Sequence, residues 1–193
     1  MSVEIELKAW VDDPDGLRLR FSSCAGQGTS FEKADAYWVF PGGCGAAPSS
    51  GVRLRRETKT DPAGTVSRAL WVTYKVKEVR GGVEINDERE FSVSDAAAFE
   101  ELLRRLGLQK DIEKNKRGWA WNCAGVTAEL TEVAGLGWFV ELEIVTDDDT
   151  GGTVTAARTR LLALLRKIGI KEDRIEPRYY TEMLRPPKGG SCP

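Results

Sequence analysis

Apolar and polar residues alternate strictly along much of this chain. At its start, Val3, Ile5 and Leu7 form one face, and Glu4, Glu6 and Lys8 form the other. Such a period of two is typical of a β-strand with one buried face. The same reading predicts further strands over residues 35–40, 52–59, 69–79, 84–93, 111–121, 125–133 and 138–146.

Two other segments have helical spacing. Over residues 94–106, Ser94 is suited to cap the start and Gly107 follows the end. The apolar residues that share one face of this helix are Phe99, Leu102, Leu103 and Leu106. A second helix is predicted over 153–168, closed by Gly169. Residues 14–23 fit a short helix or a strand, and residues 178–184 read as extended. We therefore predict an α+β protein dominated by an antiparallel sheet.

The polar faces of these strands are almost purely charged, and the charges are segregated. Arg53 and Arg55 share one strand face, whereas Glu141 and Glu143 share another. Solvated outer faces are one explanation, but such faces are usually of mixed polarity. A closed, eight-stranded antiparallel barrel explains the whole set better. Its charged faces would line the lumen, and its apolar faces would lie under helices packed outside.

This lumen would suit an anion and a metal ion together. Cations at its wall would hold a polyanion, and Glu-x-Glu pairs place two carboxylates about 6.5–7 Å apart on one strand face. The chain has no histidine, and its four cysteines have no metal-site spacing. These absences exclude catalysis by a Ser-His-Asp or Cys-His arrangement. They also favour a hard, oxygen-liganded cation such as Mg²⁺ or Mn²⁺.

Length and charge limit the remaining possibilities. The 193 residues fit one domain, predicted over residues 1–184, followed by a disordered tail over 185–193. The net charge of −2, from 28 basic and 30 acidic residues, excludes a polybasic nucleic-acid binder. No apolar run is long enough for a membrane span, and no secretory signal is visible. We expect a cytoplasmic monomer or homodimer with no nucleic-acid partner.

The charged strands, taken in order, resemble the CYTH domain, also called the triphosphate tunnel metalloenzyme superfamily. Glu4-Ile5-Glu6-Leu7-Lys8 resembles its ExExK motif, and Arg53-Leu54-Arg55 resembles its RxR strand. Thr73-Tyr74-Lys75 resembles its TxK strand, and Glu90 fits its central Glu. Further matches are Asp35-Ala36-Tyr37-Trp38, Lys114 to Arg117, the LGxFxExE-like run over 135–143 and the closing segment from Glu176. The resemblance covers about residues 3–184.

The resemblance implies a tunnel that binds triphosphate and divalent metal. The metal ligands it implies are Glu4, Glu6, Glu141 and Glu143, with Glu90 and Glu129 as further candidates. The phosphate-binding residues, from the resemblance and the alternation together, are Lys8, Arg53, Arg55, Lys75, Lys77, Lys114, Lys116 and Arg117. In thiamine triphosphatases a Tyr–Lys pair assists the attack of water, and Tyr37 and Lys75 occupy the matching positions.

The chain departs from the family pattern at three positions. Thr131 replaces an Asp of the family, so that Glu129 on the same face becomes the substitute ligand. Val39 replaces the second Asp of a DxYYD motif. In the strand from Lys114 to Arg117, strict alternation places Lys116 on the same face as Lys114 and makes it the second phosphate-binding cation. A β-bulge would instead place Arg117 on that face.

Three functions follow from the resemblance. The first is a metal-dependent triphosphatase for tripolyphosphate, a nucleoside triphosphate or thiamine triphosphate. The alternative is a class IV-type adenylyl cyclase, which converts ATP to cyclic AMP and pyrophosphate. The third is a non-catalytic module that binds polyphosphate or nucleotide. The departures at Thr131 and Val39 keep this third function open.

Overall fold

The computed structural model describes residues 3–41, 51–80 and 82–186, with residues 75–78 and 87–88 described by their backbone alone. Residues 42–50, which the sequence predicts to be part of a glycine- and proline-rich loop over 41–51, and residues 187–193 of the predicted tail lie outside this part of the chain. The strands are β1 (Val3–Trp10), β2 (Thr29–Val39), β3 (Val52–Thr60), β4 (Val66–Arg80), β5 (Val83–Ser92), β6 (Gln109–Asn122), β7 (Thr127–Val133) and β8 (Gly137–Thr146). The predicted α+β class with a large antiparallel sheet is confirmed.

Each of these strands pairs with two neighbours, always antiparallel. The hydrogen-bonded order is β1-β5-β4-β3-β2-β6-β7-β8, and β8 returns to pair with β1, which closes the sheet into a barrel. Glu6 lies opposite Glu84 on one side and Glu143 on the other. The β2–β6 ladder has one register shift, between Tyr37 and Trp38. The alternation of faces is therefore regular through Lys114 and Lys116.

The helices are α1 (Pro14–Ala25), α2 (Ala96–Arg105), α3 (Gly151–Lys167) and the single turn α4 (Tyr180–Met183). α1 covers the outer faces of β6 and β7, and α3 covers those of β1 and β8, where one apolar core is buried. The helix residues of this core include Leu17, Phe21, Leu161 and Leu165. In the described part of the chain, no helix is both long enough and apolar enough to cross a membrane.

Local chemistry explains where the helices begin. The Asp13 side chain accepts a hydrogen bond from the Gly16 amide at 2.9 Å, and Pro14 opens α1 without an N–H to satisfy. α2 is capped by Asp95, which accepts from Ala97 and Ala98, and not by the predicted Ser94. Asp95, one residue further along, bonds free amides of the first turn in place of Ser94, so the predicted start of the helix was one residue early.

The C-terminal segment closes one end of the barrel. Ile175 bridges Ala9, and Tyr180 packs against Phe139 and Val133. Residues 178–184 were predicted to be extended, but residues 180–183 form α4. The reason is local, because the Glu182 side chain accepts a hydrogen bond from the Tyr179 amide at 2.9 Å, and the Glu182 amide donates to the Tyr179 carbonyl oxygen at 2.9 Å.

Candidate functional site

The barrel interior holds most of the buried charge in the described part of the chain. Charged side chains leave water only where they find partners, so an interior of this kind has to be paired throughout. The buried charged residues that face inward are Lys8, Lys33, Asp35, Glu57, Glu84, Lys114 and Lys116. They lie on β1, β2, β3, β5 and β6, and they alternate with apolar residues that face outward.

A basic region surrounds Asp35 on β2. Its carboxylate accepts from Arg55 at 2.7 and 2.9 Å and lies 3.1 Å from the Lys114 Nζ. Burial alone would raise the pKa of Asp35, but Arg55 and Lys114 outweigh it and hold that pKa well below its usual value. Lys114 also donates to the Tyr37 hydroxyl at 3.0 Å. One buried carboxylate thus positions two cations and, through Lys114, a tyrosine.

Arg53 extends this region along β3. It donates to the Thr73 hydroxyl at 2.8 Å and lies 3.5 Å from Glu90, which also accepts from Thr73 at 3.0 Å. Arg53 and Arg55 on β3 and Lys114 on β6 therefore lie on either side of β2 and face the same space. Several hydrogen-bond donors in one space form the arrangement that phosphate groups require.

A second cluster lies towards the closed end. Lys116 donates to both oxygens of Glu141 at 2.7 and 2.8 Å, and Glu141 also accepts from the Tyr180 hydroxyl at 3.0 Å. Burial would raise the pKa of Glu141, but Lys116 dominates and holds it far below its usual value. Lys33 donates to Glu129 at 2.6 Å, and burial lowers the pKa of this lysine despite that partner. Both carboxylates are therefore held by cations.

The opposite part of the interior is acidic. Glu84, Glu6 and Glu143 lie side by side on β5, β1 and β8, and Glu4 follows two residues from Glu6 on the same face. Glu84 forms an ion pair with Lys8. Asn86, directly opposite Glu4, is 0% exposed, and neither polar atom of its side chain has a hydrogen-bond partner among the described side chains.

These residues suit a hard divalent cation by their chemistry. In the part of the chain that the structure describes, no three acidic or cysteine side chains converge as a preformed metal cluster. However, Glu4, Glu6 and Glu143 are oxygen donors in adjacent positions, and the buried amide of Asn86 faces the same region without a partner. The donor set therefore fits Mg²⁺ or Mn²⁺.

A comparison with protein-family models identifies this arrangement. The model that describes the CYTH domain matches residues 2–180, which is nearly the whole chain. The chain belongs to the CYTH domain family. A comparison with curated protein sequences finds no relative of this CYTH domain.

Solved structures resemble this CYTH domain over most of its length. The PH1819 protein of Pyrococcus horikoshii is 26% identical, with a TM-score of 0.77, and the match covers 94% of this chain and 97% of that chain. A candidate adenylate cyclase from Vibrio parahaemolyticus is 21% identical, with a TM-score of 0.72 and coverage of 94% and 97%. HpAC1 of Hippeastrum, a candidate adenylyl cyclase with a dominant triphosphatase activity, is 18% identical, with a TM-score of 0.56 and coverage of 88% and 89%.

The structure resolves the choice between Lys116 and Arg117 in this CYTH domain. Lys116 faces the interior, and its side chain is 4% exposed. The Arg117 side chain is 72% exposed and pairs with Glu132 on the outer surface. The proposal that Arg117 binds phosphate in the lumen is therefore wrong, because no bulge interrupts β6 between Lys114 and Arg117.

Other predicted residues of the CYTH site fall into three groups. Glu4, Glu6 and Glu143 are neighbours, as the prediction requires. Glu129 and Glu141 are in the interior and contact cations there, whereas the Glu90 side chain is 39% exposed and contacts Arg53. Lys75 and Lys77 lie on β4, paired with Glu88 and Asn86, but their side chains lie outside the described part of the structure. Their roles stay predictions.

Sequence reasoning missed several interior residues that the same pattern could have found. Lys33 lies on the same face of β2 as Tyr37, and Glu57 lies on the same face of β3 as Arg55, because each pair is an even number of residues apart. Glu84 and Asn86 likewise lie on the same face of β5 as Glu90. Alternation alone would have placed all four inside. Tyr180 had no such signal, because it reaches the interior from the C-terminal segment.

Proposed function

We propose that this CYTH domain is a divalent-metal-dependent triphosphatase that hydrolyses a small triphosphate inside the barrel. The observation that carries the proposal is the set of cations Arg53, Arg55 and Lys114, which lie on either side of β2 and share the barrel interior with the acidic region of β5, β1 and β8. A triphosphate concentrates negative charge in a short chain, so fixed donors in a secluded site are the main requirement for holding it. Tripolyphosphate, a nucleoside triphosphate and thiamine triphosphate all meet this description.

The ion pairs of the interior keep its cations in place before substrate binds. Asp35 fixes Arg55 and Lys114, and Glu141 fixes Lys116. Phosphate oxygens would add charge-assisted bonds to the remaining donors of Arg53 and Arg55. Because the carboxylates have already oriented these side chains, binding requires little further ordering.

Glu4, Glu6 and Glu143 would hold the metal ion, with Glu141 retained as a predicted ligand. When bound, such an ion offsets the charge of the phosphoryl oxygens and lowers the pKa of a bound water. Tyr37 receives a hydrogen bond from Lys114 and lies on the strand next to Arg53. We assign Tyr37 the role of orienting the attacking water, together with the predicted Lys75.

The fold alone does not select between hydrolysis and cyclisation. HpAC1 combines the description of a candidate cyclase with a dominant triphosphatase activity, and the fold is the same. The alternative for this chain therefore remains a class IV-type adenylyl cyclase, and the third is a module that binds triphosphate without turnover. A cytoplasmic location and a monomeric or homodimeric state also stay predictions.

Product analysis tests the proposal. Purified protein is incubated with tripolyphosphate, thiamine triphosphate or ATP, each with Mg²⁺, Mn²⁺ or a chelator, and products are separated by chromatography and ³¹P NMR. We expect metal-dependent release of orthophosphate. Cyclic AMP with pyrophosphate from ATP would favour the cyclase instead. Binding of the triphosphates without any product would favour the non-catalytic module.

A further inference from the structure

Asn86 is buried in a way that costs the apo protein stability. Its side chain is wholly inaccessible, and neither the carbonyl oxygen nor the amide nitrogen has a hydrogen-bond partner within the part of the chain that the structure describes. Buried polar groups are nearly always hydrogen-bonded, and one left unsatisfied pays its desolvation penalty in full. A leucine in this position would avoid the penalty. The amide therefore points to a partner other than the side chains that the structure describes.

The surroundings of Asn86 indicate the charge of that partner. Glu4 lies directly opposite on β1, and Glu84 lies two residues away on the same face of β5. Beyond them, Glu6 lies opposite both Glu84 and Glu143. Lys8 forms an ion pair with Glu84, and the β4–β5 ladder pairs Lys77 with Asn86, so the four carboxylates outnumber these two lysines. A group that enters among these carboxylates gains electrostatically if it is a cation, whereas an anion would be repelled.

We propose that Asn86 is a ligand of the divalent cation in this CYTH domain, an assignment that rests on the proposed metal-dependent function. Its Oδ1 supplies a hard, neutral oxygen of the kind that Mg²⁺ and Mn²⁺ accept beside carboxylates. Glu4, Glu6 and Glu143 supply the charged oxygens. An aspartate in place of Asn86 would add another negative charge to a buried acidic group, which would destabilise the metal-free protein.

The test is titration calorimetry of the metal-free, full-length protein with Mn²⁺ alone, together with thermal unfolding in a chelator. Asn86→Leu keeps the branched shape but removes both polar atoms. Thr131→Val is the matched control, because Thr131 is also 0% exposed with an unpartnered hydroxyl. Thr131 is paired with Phe139 on β8. Phe139 is four residues from Glu143 along that strand, towards the closed end of the barrel.

We expect Asn86→Leu to raise the Tm in chelator and to weaken Mn²⁺ binding at least about tenfold, the size of effect seen when metal-site residues are removed. Thr131→Val should also raise the Tm but leave Mn²⁺ affinity unchanged. Asn86→Asp retains the oxygen, so it should bind Mn²⁺ at least as tightly as the natural protein while lowering the Tm in chelator.

Each other outcome overturns the assignment. If Asn86→Leu binds Mn²⁺ as tightly as the natural protein, the amide is not a ligand, and the proposed function is unaffected. If Asn86→Leu does not fold, Asn86→Asp decides, because weaker binding by that variant contradicts a ligand role. If the natural protein binds no Mn²⁺, both this assignment and the metal dependence fail. Phosphate release in a chelator would then show whether hydrolysis persists without metal.

Discussion

At the scale of single residues, this CYTH domain stabilises buried charge by pairing it across neighbouring strands. Asp35 is the central example, since it contacts Arg55 on β3 and Lys114 on β6. Removing one member of such a group leaves the others buried with too little compensation. The interior therefore depends on Asp35 for stability as well as for the positions of its cations.

Asp35→Asn should destabilise the protein by about 3–5 kcal/mol, because two cations lose their buried counter-charge. Urea unfolding at neutral pH measures the difference. Glu132→Gln is the control, since Glu132 pairs with the exposed Arg117 and should change stability by about 1 kcal/mol or less. Equal effects of the two substitutions would contradict the central role of Asp35.

The low pKa of Asp35 predicts how the free energy of unfolding depends on pH. Because the pKa of Asp35 is lower in the folded than in the unfolded protein, its contribution is fully present above the unfolded pKa of about 3.9. That contribution is lost as the pH falls below this value towards the folded pKa. Urea unfolding between neutral pH and pH 3 should therefore show a shallower acid loss for Asp35→Asn than for the natural protein. Parallel profiles would contradict this assignment.

Glu143→Gln should abolish metal-dependent phosphate release while leaving the fold intact, because it removes a charged oxygen from the acidic region. The measurement is orthophosphate release from tripolyphosphate at increasing Mn²⁺, with circular dichroism as the check on folding. Glu132→Gln on the outer surface should retain activity. Full activity of the Glu143 variant would place the metal elsewhere.

The sequence predicts which residues face the barrel interior only through the alternation of residues along each strand. This alternation predicts an inward-facing position for five residues that the structure places there, namely Glu4, Glu6, Arg53, Arg55 and Lys114. It could not show which partners each charge takes, because ion pairing depends on strand order. Glu141 contacts Lys116 for that reason, although β6 and β8 are separated by β7.

At the scale of elements, the C-terminal segment shows where sequence patterns stop being informative. A helix of one turn is too short to display a 3.6-residue period, so α4 read as extended chain. Its position is set by distant contacts instead. Trp10 donates to Glu176 at 3.1 Å, and Arg178 donates to the same carboxylate at 2.8 and 2.6 Å.

Glu176→Gln should loosen this segment, because Glu176 joins Arg178 to β1. The hydrogen bond from Arg178 lowers the pKa of Glu176 to about 2, so the natural contact persists above the ordinary glutamate pKa and weakens as the pH falls towards about 2. Hydrogen exchange of residues 175–184 at neutral pH should be faster in the variant. Arg185→Ala, which removes a contact to Asp111 on the surface, is the control. Equal protection in all three proteins would contradict the anchoring role.

At the scale of the whole molecule, barrel closure brings charges from distant parts of the sequence into one interior. β1 and β8 are separated by most of the chain, yet Glu6 and Glu143 are directly opposite each other. The sequence indicates the eight strands and their charged faces. It does not show that the C-terminal segment closes one end, because that contact has no periodic signal.

The most direct test of the account is a calorimetric titration of the protein with tripolyphosphate in the presence of Mn²⁺. The protein concentration is chosen so that little tripolyphosphate is hydrolysed during the measurement. The natural protein should bind one tripolyphosphate, and Arg55→Ala should bind at least about tenfold more weakly, the loss expected for a charge-assisted pair. Arg117→Ala, on the outer face of β6, should bind as the natural protein does. If Arg55→Ala is folded by circular dichroism and keeps full affinity, or if only the Arg117 variant loses affinity, the triphosphate does not bind in the barrel interior.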